Sequence, residues 1–236
     1  MTFCAINFKA KSNTTGVETV ISNELFKVIP IENIDESQVA FNYVADGMFS
    51  IDISDNNVIA NKAECIIIGK VCSIDGVVNY NPSTEHYVMA RTIGNVEVLQ
   101  VLKGNLTNNE IPFIRLGGTL PLSEFEKSLF NAQVTKMGLD KMSQEEKENL
   151  YVIEKNNKDI DIEKDKIYLM YMTYSDDYKR YEIEFMEYGL REVLTDNDNS
   201  LTDTFNSNLN KSIKVKNNQT GDYETLDSVI PKTVMK

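Results

Sequence analysis

Hydrophobic residues in this chain come in short runs with two rhythms, and the change of rhythm marks where strands give way to helices. Cys65 to Cys72, C-I-I-I-G-K-V-C, is almost continuous in Ile and Val, the pattern of a strand buried on both faces. Asp75-Gly76 then predicts a tight turn, because Gly tolerates positive φ. In the next strand, 92–102, Val96 and Val98 share one face while Leu99 and Val101 share the other. The inward parity therefore switches midway, and a β-bulge at 98–100 accounts for it. Residues 111–116 form a third strand, where Pro112 demands a sheet edge or a strand start, and Gly117-Gly118 stops it. Strands resume at 166–174 and 180–187, where Tyr181, Ile183 and Phe185 alternate with Glu182 and Glu184 and predict a hairpin with one wet face.

Helix signals lie around and between these strands. Ser54 is an N-cap candidate for a short helix ending at Lys62. From Thr119 to Asp165 the spacing predicts a helical excursion, with Ser123 capping one helix and Ser143-Gln144-Glu145-Glu146 forming a capping box for another. Residues 17–28 fit a helix or a strand, and the pattern leaves both open. The organisation that follows is a mixed segment over 1–50, a barrel over 51–193 carrying the insertion 119–165, and a polar extension over 194–236. Thr195 to Asn210 reads as a loosely held linker, and S-I-K-V-K after it as a last strand. The fold class is mainly β (α+β), a small antiparallel barrel with a helical insertion.

Composition narrows the partners. Across 236 residues the net charge is −12, and no cluster of Lys or Arg breaks the acidity, so a phosphate backbone is excluded as a partner and no nucleic acid is expected. No run approaches the ~20 apolar residues of a membrane span, so no integral membrane segment is expected. The first residues, M-T-F-C-A-I-N-F-K, lack the basic and apolar regions of a signal peptide. Cys4, Cys65 and Cys72 have neither the count of a disulfide framework nor the spacing of a zinc site, so three free thiols are predicted. Cys65 and Cys72, seven apart on one strand, face opposite sides.

Candidate chemistry is sparse. His86 is the single histidine, and with neither G-x-S-x-G nor HExxH present it reads as an exposed loop residue rather than a base or a zinc ligand. Asp196 to Ser200 places oxygens at alternate positions, but Leu201 and Ser207 stand where a calcium loop needs Gly and Glu, so a solvated linker is the better reading. I-G-K-V over 68–71 lacks the rest of a phosphate cradle. Tyr168, Tyr171, Tyr174, Tyr178, Tyr181 and Tyr188 crowd one hairpin, where core packing competes with a stacking face for sugars. Arg is rare, and Arg115 and Arg191, set among apolar neighbours, are candidates for partly buried ion pairs. No residue is assigned a catalytic, cofactor-binding or metal-binding role, and no cofactor is expected.

The order A-E-C-I-I-I-G-K-V, a turn, G-N-V-E-V-L-Q-V-L-K-G-N, and later D-K-I-Y-L-M-Y-M resembles the netrin-like module, the OB-type barrel of the tissue inhibitors of metalloproteinases. It is also similar to surface-attached proteins of low-GC bacteria carrying such a barrel. Those inhibitors chelate zinc through an amino-terminal Cys-x-Cys; here Cys4 follows three residues and Ile6 stands where the second Cys would be, so inhibition is not implied. The resemblance implies an OB-type fold, a secreted or cell-surface setting, and a non-enzymatic binding role toward a protein or carbohydrate ligand. Two rivals stand beside it. One is a hydrolase using unmarked carboxylates such as Glu182 or Glu184. The other is an intracellular, cytoplasmic accessory protein, consistent with free thiols.

Overall fold

The computed structural model describes residues 26–30, 34–45, 49–157, 159–194 and 213–232. In chain order the strands are β1 (Val39–Ala45), β2 (Cys65–Asn81), β3 (His86–Lys103), β4 (Glu110–Leu116), β5 (Gly118–Pro121), β6 (Tyr151–Asn156), β7 (Ile167–Ser175), β8 (Arg180–Ile183), β9 (Leu190–Glu192), β10 (Lys214–Lys216) and β11 (Tyr223–Thr225). Among the described residues six short α-helices punctuate them: α1 (Asn56–Lys62), α2 (Leu122–Phe125), α3 (Asn131–Met137), α4 (Gln144–Asn149), α5 (Met186–Gly189) and α6 (Leu226–Val229). The molecule is mainly β. One sheet runs β2-β3-β4-β8-β7-β9, and a further pairing of β2 with β7 bends its first five strands into a partly closed ring. A second sheet, β1-β6-β5, packs beside it, and β10 and β11 form a hairpin.

The ring follows from side-chain parity. Cys65, Ile67 and Val71 of β2, Val96 of β3, Ile111 and Phe113 of β4, Tyr168, Met170 and Met172 of β7, and Ile183 of β8 form one buried cluster, so every ring strand turns alternate residues inward. The other face of β2 and β7, with Ile66, Ile68, Leu169 and Tyr171, is buried under Ile59 and Ala60 of α1 and Val229 of α6. That two-sided burial is why Cys65 to Ile68 is an unbroken apolar run. The bulge falls where parity requires it: Gly69 pairs with Val98 and Ile68 with Gln100, so Leu99 is left over. Val96, Val98 and Val101 pack with the inner cluster, while Leu99 and Leu102 pack outside, so Leu99 and Val101 do not share a face as expected: Leu99 is the bulge residue itself and Val101 returns inward. Pro112 sits one residue before β8 joins β4 at Phe113, where its missing N–H costs no ladder bond to β8.

Several expectations are corrected. Asp75-Gly76 is not a turn; β2 runs through it to Asn81 with a register irregularity between Ile74 and Gly76. Not all pairing is antiparallel, since β4 and β8 are parallel, as are β1 and β6. The strand 180–187 ends at Ile183, because Phe185 and Met186 adopt φ of 61° and 49° and lead into α5. The stretch 119–165 holds the expected helices but also β5 and β6. Asp55 rather than Ser54 caps α1, accepting from the Asn57 N–H at 2.7 Å. Ser123 lies inside α2 and makes no cap. The Ser143 box forms as expected, with the Ser143 N–H donating to Glu146 Oε2 at 2.7 Å and the Glu146 N–H to Ser143 Oγ at 3.2 Å. The last strand predicted in S-I-K-V-K is β10. Cys4, the 17–28 pattern up to residue 25, the linker 195–210 and the Asp196 to Ser200 loop lie outside the described residues.

Candidate binding surface at the loop end of the ring

Two hairpin loops meet at one end of the ring. The first, 82–85, joins β2 to β3; the second, 176–179, joins β7 to β8. N-P-S-T folds the first because the Asn81 side-chain oxygen accepts the N–H groups of Ser83 (2.9 Å) and Thr84 (3.0 Å), an Asx turn closed by Glu85 at positive φ. Asp177 from the second loop then clasps the first: its carboxylate accepts from Ser83 Oγ at 2.6 Å and from Asn81 Nδ2 at 3.1 Å. The Ser83 and Asn81 hydrogen bonds hold the Asp177 carboxyl below the usual carboxylate range.

Aromatic and charged groups surround the clasp. Tyr80 and Tyr87 stack edge to face with centroids 5.4 Å apart, and the Lys127 ammonium sits 5.4 Å above the Tyr87 ring. Tyr178 is buried under the Arg91 guanidinium, 5.3 Å from its centroid, and burial pushes its hydroxyl pKa up. Arg91 in turn ion-pairs with Glu182. Beyond Tyr178 the outer face of β2, β3 and β4, with Val78, Ile93 and Ile114, is apolar and covered by Phe26 and Val28.

The structure distributes the residues singled out in the sequence. His86 is exposed, as expected, but opens β3 opposite Asn81 and bonds the Thr84 carbonyl through Nδ1. Glu182 is held by Arg91, whereas Glu184 is half-buried and accepts from Thr173 Oγ1. Burial first, then repulsion from Glu182 and Glu64, raises the Glu184 pKa despite that hydrogen bond. Tyr168, Tyr171 and Tyr178 are core, Tyr188 packs against the outer cluster, and Tyr174 and Tyr181 pair edge to face at 5.2 Å. Arg115 pairs with Asp159, both buried, and donates to the Ile160 carbonyl at 2.6 Å. Arg191 reaches Glu224 at 3.0 Å and Asn56 at 2.8 Å. Cys65 and Cys72 are free thiols on opposite faces of β2, with Cys65 in the ring interior. The clasp of Asn81, Ser83 and Asp177 is not legible in the sequence: each loop carries a turn signal, but nothing in one sequence joins turns some ninety residues apart.

Among the described residues, no group of three or more His, Cys, Asp or Glu is placed to hold a metal ion, and no helix is long and apolar enough to cross a membrane. No protein-family model, curated protein or solved structure matches the chain.

Proposed function

We propose that this protein is a non-enzymatic interaction module built on an OB-type barrel, with its contact surface at the clasped loops. The ring order supports the barrel reading. With β2, β3, β4, β7 and β8 taken as ring strands one to five, the pairing runs one-two-three-five-four and back to one, with three and five parallel. Barrels of this type present the face of strands two and three, and the loops joining one to two and four to five, to their ligands. Those loops are 82–85 and 176–179 here, and their mutual anchoring through Asp177 is the observation that carries the reading. A preorganised loop pair loses little entropy on binding.

A protein partner is favoured over a sugar. Sugar stacking requires an open aromatic face, and although Tyr87 is exposed, the Tyr80 ring edge and the Lys127 ammonium already meet its ring. A setting outside a bacterial cell, implied by the resemblance alone, is part of the proposal. Selection of a random displayed peptide library on the immobilised chain should enrich one consensus whose binding is lost in Asp177→Ala. Enrichment of none, or of one indifferent to Asp177, overturns the reading. Turnover of chromogenic ester or glycoside substrates that disappears in Glu184→Gln would replace it with a carboxylate hydrolase.

A further inference from the structure

The chain fills its own ligand face. Ile29 forms a two-hydrogen-bond bridge to the outer half of β2: the Ile29 N–H donates to the Val77 carbonyl and the Val77 N–H to the Ile29 carbonyl, both at 2.8 Å. The β7 partner of β2 covers only Cys65 to Lys70, so this bridge lies on a stretch of β2 edge that β7 leaves open. Phe26 and Val28 lie over Val78, Ile93 and Ile114, and Phe26 meets the Tyr178 ring edge-on at 5.8 Å. Lys27 reaches across to Glu124, a carboxylate 7% exposed, at 2.6 Å. β2 is shaped for this approach. A Cβ on Gly76 would stand 2.5 Å from the Ile29 carbonyl oxygen and 2.6 Å from Val28 Cγ1, so only glycine lets the segment lie down there. A groove of about 260 Å³ lined by Lys27, Ile29, Pro30, Pro121, Glu124 and Tyr151 continues past it.

We infer that Phe26–Pro30 is a displaceable strap in a peptide-docking groove, and that the groove accepts in trans an extended peptide of the same chemistry: aromatic, basic, aliphatic, aliphatic. The inference rests on the interaction-module reading and names its partner class. Two backbone hydrogen bonds supply strand addition, the apolar face takes the aromatic residue, and Glu124 takes the cation. A tethered strap competes at an effective concentration of order millimolar, so the intact chain should bind such a peptide weakly.

The test uses the full chain and a fluorescent synthetic peptide carrying residues 24–31, read by anisotropy. Lys27→Glu sets a carboxylate against Glu124 without touching the core, and should bind the peptide at least tenfold tighter than the unmodified chain. Ile29→Asp leaves the backbone bridge groups in place but sets a carboxylate where a side chain 5% exposed packs against Val77, and should bind more tightly still. Lys27→Glu combined with Glu124→Gln should lose the gain. Folded variants that bind no better than the unmodified chain overturn the inference, and so does global unfolding of Lys27→Glu, which would show that the fold cannot release Ile29 from its packing with Val77, Leu120 and Val152. A library consensus dependent on Asp177 alongside failure of the 24–31 peptide would sink the strap and leave the module reading; binding of that peptide with no loop-dependent consensus would do the reverse.

Discussion

Glu154 offers the sharpest test of the packing between the two sheets. It sits in β6 at 2% exposure and accepts the Ala90 N–H through Oε2 at 2.7 Å. Ala90 lies where β3 slips register against β2 between the Val78 and Tyr80 pairs, so its backbone groups need partners outside that ladder; its carbonyl takes the Gly117 N–H at 2.7 Å and its N–H takes Glu154. Burial pushes the Glu154 pKa from 4.5 up to about 7, against the smaller downward pull of that hydrogen bond. Because the folded pKa lies above the unfolded one, the native state holds the proton longer. Its stabilisation is fully present below pH 4.5 and is lost as pH rises through about 7. A rise of about 2.5 units at 1.36 kcal/mol each puts the loss at about 3 kcal/mol by pH 7.5. Glu154→Gln keeps an acceptor for Ala90 and never ionises, so at pH 7.5 it should melt above the wild type by roughly 6–12 °C, at 2–4 °C per kcal/mol for a chain of this size. At pH 4.5 the two should coincide within about 2 °C. Thermal melts of both proteins across that range give the difference directly, cancelling other titrating groups. A variant that melts below wild type at pH 7.5, or a difference that does not change with pH, refutes the reasoning.

Arg115→Met leaves Asp159 buried without its partner and should cost about 3–5 kcal/mol; Arg115→Lys should lower the melting temperature less, and adding Asp159→Leu to Arg115→Met should recover most of the loss, a result that equal melting of single and double variants would contradict. Lys103 donates to the carbonyls of Ala60, Asn61 and Ala63 at the end of α1, so Lys103→Met should cost about 2 kcal/mol and speed amide exchange in α1. Burial pushes the Cys65 thiol up to about 12 and also raises the pKa of the half-buried Cys72, so under native conditions at pH 8 Cys65 should resist a thiol reagent until the chain unfolds; peptide mapping that finds Cys65 labelled as fast as Cys72 would contradict its place in the ring.

The legible part of the fold was the part whose burial follows local composition. The near-continuous Ile-Val run of β2 and the bulge at 98–100 are both legible in the sequence, although Leu99 and Val101 end on different faces. Gly76 misled because a glycine beside an aspartate reads as a turn, while its reason here is the approach of Ile29 from nearly fifty residues away. In β6 the buried face is Val152, Glu154 and Asn156 rather than Tyr151 and Ile153, so hydrophobic alternation points the wrong way. Parallel pairing of β4 with β8 depends on which strands become neighbours, and strand composition does not record that. Arg115 and Arg191 were legible as buried pairs because a guanidinium among apolar residues needs a partner; which carboxylates would supply it was not.

We propose the clasped loops as the contact surface of this protein. Calorimetric titration of the library-selected peptide into the intact chain and into Asp177→Ala tests it most directly. Release of the loops should weaken binding at least tenfold, about 1.4 kcal/mol, while this substitution of a half-buried side chain should lower the melting temperature by no more than about 4 °C. Equal affinity for the two proteins would contradict the account.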